Sequence, residues 1–219
     1  MSKKKGKRTS RAKKPQVGGS PPSQGTSVAG KALNERNRIA LAYMELAGDK
    51  VFQRLSEEQK LELVQEVLSI GDEVASWLVA ENGTNDPRKI ASTLGVKVFG
   101  VDRGRSRGSE YRREKKEIVV YRDFHEKLLR EVRSAELSEH LLKFVVAHQL
   151  FHHLELSRIG EIYKRYKFET FRVGPVVVRK QIRGLSNVAA RAFTQSLLRL
   201  EISPQVFDYL TYLLLYNNR

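Results

Sequence analysis

The stretch that most restricts how this chain can fold is residues 144–155, "FVVAHQLFHHLE", together with the leucines just before it. Leu141, Leu142, Val145, Val146 and Leu150 recur at helical spacing and form one apolar face, so this helix needs cover and is expected at the centre of a domain. Ser138 is the expected N-cap. His148 and His152 stand four apart, one turn up the same face, a spacing from which both imidazoles can reach a single zinc ion.

Two histidines complete only half of a four-coordinate shell, and a catalytic zinc takes a third protein ligand and a water. Glu155 is the nearest carboxylate, but seven helical residues put it roughly 10 Å from His148, too far to converge on one ion. The remaining candidates by chemistry are Glu161, Glu169 and Asp208. His153 lies about 100° around the helix from His152 and is expected at the surface or behind the site. In zinc peptidases the residue after the first histidine is Glu, which takes a proton from metal-bound water. Here it is Gln149, whose amide can orient a water but has no proton-accepting state near neutral pH, removing a contribution commonly worth about 10² to 10⁴ in rate.

With 219 residues the chain is long enough for one main domain with a sizeable core. Its formal charge is +15, yet residues 1–30 hold eight Lys or Arg and no acid, so half of the excess sits there. That stretch also carries Gly, Pro and Ser and almost nothing apolar, the composition of a disordered tail. Such a tail suits salt-sensitive, sequence-blind nucleic-acid attachment, solubility or targeting. There is no cysteine, which excludes disulfides and thiolate metal sites and agrees with a reducing, cytoplasmic setting. No apolar h-region follows the basic start and no run of 18 apolar residues occurs, so secretion and membrane spanning are disfavoured.

From about residue 31 the pattern turns helical. Ser56 with Gln59 spells a capping box for a helix running towards Trp77, which is read as a packing residue, and Gly71 is a point where that helix could kink or divide. Asp86 and Pro87 open a short helix that Gly95 can end. "VKVFGV" and "EIVVY" read as strands, with the Arg-rich run between them as a polar loop or ragged hairpin. "GPVVVRK" is a possible further strand. "SNVAARAFTQSLLRLE" and "SPQVFDYLTYLLLYNN" read as helices capped by their opening serines, the second with Pro204 behind its cap.

The order "DPRKIASTLGVKV", "EIVVYRD", "FVVAHQLFHHLE" and "AARAFTQSLL" resembles the ImmA/IrrE family of metallopeptidases over about residues 84–200. In that family a short helix leads into an "LGV"-like strand, followed by an AHELxHxL helix and a later helix of the form Asn-x-Phe-Ala-x-x-Leu-Leu. The resemblance implies an α+β, zincin-like fold with helices beside a small mixed sheet. It divides the chain into a tail (1–30), a helical extension (31–83) and a metallopeptidase-like domain (84–219). It also implies zinc held by two motif histidines and a later Glu, and cleavage of a repressor in stress responses, DNA damage or mobile-element control. His148 and His152 match the zinc ligands, while Gln149 stands in place of the catalytic Glu. Registering Phe193 on the later helix puts Ala189 where the Glu ligand belongs and Arg191 where Asn belongs, with Glu169 as a substitute third ligand.

Three readings follow. In the first, the chain is a weakly active or inactive peptidase-like domain that binds a protein partner through the old substrate groove. In the second, it is an active zinc endopeptidase using Glu155 or a carboxylate of 160–184 as base. In the third, it is a nucleic-acid-associated protein acting through its basic tail.

Overall fold

A computed structural model describes residues 28–102, 108–123, 126, 135–174, 176–201 and 203–206. Most of the expected tail, Asp208 and most of the last expected helix lie outside the described residues. The fold is α+β, as expected.

Helix α1 spans Val28–Leu46 and the short α2 spans Lys50–Gln53, capped by Asp49. Helix α3, Glu57–Asn82, opens on the full capping box: Ser56 Oγ accepts from the Gln59 N–H while Gln59 Oε1 accepts from the Ser56 N–H. Gly83 ends it in the left-handed conformation. Helix α4, Pro87–Thr93, begins on Asp86, whose Oδ1 accepts from the N–H groups of Arg88 and Lys89.

Strands β1 (Lys97–Val101), β2 (Ser109–Arg112) and β3 (Glu117–Tyr121) form a sheet in the order β1-β3-β2. β1 runs parallel to β3 and β2 antiparallel to it. The central place goes to β3 because Ile118, Val119, Val120 and Tyr121 are apolar on both faces, as a strand covered from both sides requires. Strand β2 falls inside the run expected to be a polar loop or ragged hairpin, and it pairs antiparallel with β3 as the hairpin; its short, half-polar sequence suits an edge.

The histidine-bearing helix, α5, spans Ala135–Leu154 and passes directly into a π-helical turn, Glu155–Ile159. It is already under way three residues before Ser138, so Ser138 is not its cap. After α6 (Ile162–Arg165) come β4 (Phe168–Val173) and β5 (Val176–Lys180), an antiparallel hairpin, and then α7, Leu185–Leu198.

One buried cluster runs from Ala42 to Leu197 and includes Leu78, Ile90, Ile118, Leu150, Phe151 and Phe193. Residues on both sides of position 83 therefore share a single core. Its closest helix pair is α3 with α7. Gly71 does not kink α3; a Cβ there would collide with the Ala189 carbonyl oxygen and sit 2.7 Å from Ala192 Cβ. The glycine is what lets the two backbones approach. Trp77, expected to pack, is 41% exposed and lies under the Arg158 guanidinium at 5.6 Å, with Arg158 paired to Glu81. Among the described residues, no helix is long and apolar enough to cross a membrane.

Candidate functional site

The last two turns of α5 carry His148, Gln149, His152 and His153. Its apolar residues, Val146, Leu150, Phe151 and Leu154, are buried against the sheet and α7, leaving the histidine stripe facing a cleft. That cleft holds about 440 Å³ and is walled by Ser109 and Tyr111 of β2, by Glu161 and Tyr163 around α6, and by Ser186 and Asn187 of α7. A larger cleft of about 900 Å³ runs along β1 and the start of α5 and contains none of the histidines.

The rings of His148 and His152 meet edge to face with centroids 5.0 Å apart, and their Nε2 atoms approach to 3.3 Å. Behind His152, Nδ1 lies 2.9 Å from Glu155 Oε2. With a carboxylate oxygen there as acceptor, Nδ1 is the donor, and the other nitrogen, Nε2, faces His148. Burial first, then the neighbouring His152 and Arg191, push the His148 imidazole well below its ordinary range. His148 is thus held in its neutral form, which binds metals or accepts protons.

Glu155 is buried, and its other oxygen, Oε1, accepts from Ser186 Oγ at 2.5 Å and from the Ile162 N–H at 2.9 Å. The distance argument against Glu155 as a third ligand to the same ion agrees with this geometry, since its carboxylate sits behind His152. What the spacing reading missed is the orienting role, which residues three apart on a helix permit. Ser186 was expected to cap α7. Instead α7 starts at Leu185 after Gly184 without a side-chain cap, and the Ser186 hydroxyl reaches back to Glu155.

Gln149 turns its amide to the sheet, and Nε2 donates to Ser109 Oγ at 3.0 Å. His153, expected near the surface or behind the site, is buried, with Nδ1 2.7 Å from the Tyr111 hydroxyl and Ser157 beside its other nitrogen. Burial, then Lys116 and Arg158, lower its pKa. Together Gln149 and His153 tie α5 to β2.

Glu169 lies on the β4–β5 hairpin, opposite and paired to Arg179, and does not line the histidine cleft. Glu161 does line it, but Lys164 and the Tyr163 hydroxyl hold its oxygens and keep its carboxyl below the usual range. Ala189, expected at the position of a Glu ligand, is buried against Gly71, and Arg191 pairs with Glu45 at 3.0 Å. The α7 residues that do reach the cleft are Ser186 and Asn187, one turn earlier. Among the described residues, no group of three or more His, Asp or Glu is arranged to hold a metal ion. The donors that converge are two imidazole nitrogens, half of a tetrahedral zinc shell.

Comparison of the chain with protein-family models, with curated proteins and with solved structures finds no match in any of the three.

Proposed function

We propose that this chain is a peptidase-like domain of the ImmA/IrrE type that has lost its proton acceptor and binds a protein partner in the groove between β2 and α5, with little or no hydrolysis. One observation carries the reading: a carboxylate-oriented histidine pair faces a cleft, and the side chain between the two histidines is an amide engaged with Ser109. Among the described residues, the two imidazoles that converge leave a zinc shell half complete.

The groove has the features of a peptide-binding edge. In an antiparallel pair, residues alternate between bonding the neighbouring strand and facing away. The Tyr121 N–H donates to the Gly108 carbonyl, so Gly108, Glu110 and Arg112 bond β3, and the backbone groups of Ser109 and Tyr111 aim at the open edge. An extended peptide adds to such an edge through main-chain hydrogen bonds, with side-chain pockets supplying specificity.

The reading with an active enzyme is weaker. Of its proposed bases, Glu155 has one oxygen engaged with His152 and the other with Ser186 and Ile162, and Glu161, the carboxylate of 160–184 that lines the cleft, is held by Lys164 and Tyr163.

The test is proteolysis of unstructured peptide pools with zinc supplied, comparing the native chain with Gln149→Glu and His148→Ala. The native chain is expected to cut at background rate, and Gln149→Glu to gain activity only if zinc binds. Robust, chelator-sensitive cleavage by the native chain that His148→Ala abolishes would overturn the reading.

A further inference from the structure

The segment from α6 to just past the β4–β5 hairpin is rich in positive charge. Residues 164–183 contain seven Lys or Arg against one acid, Glu169, out of a formal +15 for the whole chain. Pairing from Phe168↔Lys180 to Val173↔Val176 makes a two-stranded ribbon, and among the described residues no other strand joins it. A ribbon of two strands is marginal in water by itself. This one leaves Phe171 64% and Val178 40% exposed, side by side on one face.

Of these cations, Arg165 donates to the Ile159 carbonyl. Lys164 is taken by Glu161 and Arg179 by Glu169. Lys167, Lys180 and Arg183 are exposed and have no ion-pair partner among the described residues. They gather at the base of the ribbon: Lys180 is opposite Phe168, Lys167 immediately precedes it, and Arg183 follows three residues after Lys180.

We propose that the β4–β5 hairpin is a DNA-binding ribbon, laying its paired strands along the major groove of a duplex while Lys167, Lys180 and Arg183 contact the flanking phosphates. The dimensions allow it: paired strands lie about 4.8 Å apart, and a B-form major groove about 12 Å wide admits a two-stranded ribbon. The charge selects the partner, because lysines without carboxylate partners favour polyphosphate, whereas protein interfaces are depleted in Lys. Binding of this kind is sequence-blind and works by counterion release. Arg183 also lines the histidine cleft, whereas Lys167 and Lys180 do not, and none of the three belongs to the basic tail.

The test measures affinity for two duplexes of unrelated sequence by fluorescence anisotropy over a range of salt, using the full chain throughout. One variant carries Lys167→Ala, Lys180→Ala and Arg183→Ala; a second replaces the eight tail Lys and Arg with Gln; polyglutamate serves as the competing acidic polypeptide. Removing one cation from a phosphate should flatten the slope of log affinity against log salt by about 1, so the hairpin variant should lose about 3 on both duplexes. The tail variant should retain a slope of about 3 from the hairpin. If the triple variant misfolds by circular dichroism, the three single variants should each lose about 1, and the charge-keeping K167R/K180R/R183K variant should lose none. The proposal is overturned if the hairpin variants keep the native slope, if the tail variant removes the slope altogether, or if polyglutamate displaces DNA at equal charge concentration.

Discussion

His152 Nδ1 donates to Glu155 Oε2 at 2.9 Å, a bond between two residues three apart at the junction where an α-helix becomes a π turn. The same carboxylate holds the Ile162 N–H and the Ser186 hydroxyl, so one buried side chain fixes the histidine ring, the start of α6 and the first turn of α7. Replacing it with an apolar residue strands three donors, each costing about 1–3 kcal/mol when buried and unpaired. Glu155→Leu is expected to lower stability by about 3 kcal/mol or more, read as a shift in urea midpoint, with Glu155→Gln losing less. Equal stability of Glu155→Leu and the native chain would contradict the network.

Gly71 sets the approach of α3 to α7. Alanine there gains about 1 kcal/mol of helix propensity, but its Cβ would run into the Ala189 carbonyl oxygen, a backbone atom with nowhere to retreat. Overpacking of this kind typically costs about 1–3 kcal/mol, so Gly71→Ala should be net destabilising and lower Tm by several degrees. A raised Tm would mean that the helices part freely.

Acid should weaken the metal-free protein through its buried imidazoles. His148 and His153 have folded pKa values below that of the unfolded chain, in both cases chiefly by burial. The unfolded state therefore binds more protons, so stability is full above about pH 6.5 and declines as pH falls below it. Thermal melts from pH 7.5 to 5 with chelator present should show Tm dropping below about 6.5, and His148→Asn should flatten part of that drop. A Tm that rises on acidification would reverse the assigned sign.

Trp77 is the only tryptophan, so its fluorescence reports one place. Half-exposed beneath Arg158, it should emit at the long wavelength of a solvated indole and be accessible to iodide. Arg158→Ala removes a surface cation–π contact and its ion pair to Glu81, worth together about 1 kcal/mol. The expected result is increased quenching with little loss of stability; an unquenchable, blue-shifted emission would place the indole in the core.

Local chemistry was readable wherever a few adjacent residues decide the outcome. The Ser56–Gln59 capping box, the Asp86–Pro87 start, the "VKVFGV" and "EIVVY" strands and the His148–His152 pairing on one helical face all follow from short-range rules. Ser138 and Ser186 misled, because a serine before an apolar run has the chemistry of a cap whether or not the helix begins there. Strand β2 was hidden since an edge strand buries little and its polar residues read like those of a loop. The third-ligand candidates could not be ranked from sequence for a related reason: Glu169 and Glu161 have the right atoms, and their positions are set by pairings to Arg179 and Lys164.

By itself, then, the sequence determined the helices, the central strand, the concentration of charge and the replacement of a catalytic Glu by Gln149, because these depend on residue identity and on periodicities of two and 3.6. Only the tertiary structure decided that Ser186 and Glu155 meet across 31 residues, that Gly71 admits α7, and that β2 walls the histidine cleft. Contacts between distant segments depend on how a whole core closes, and no local pattern of side chains encodes that distance.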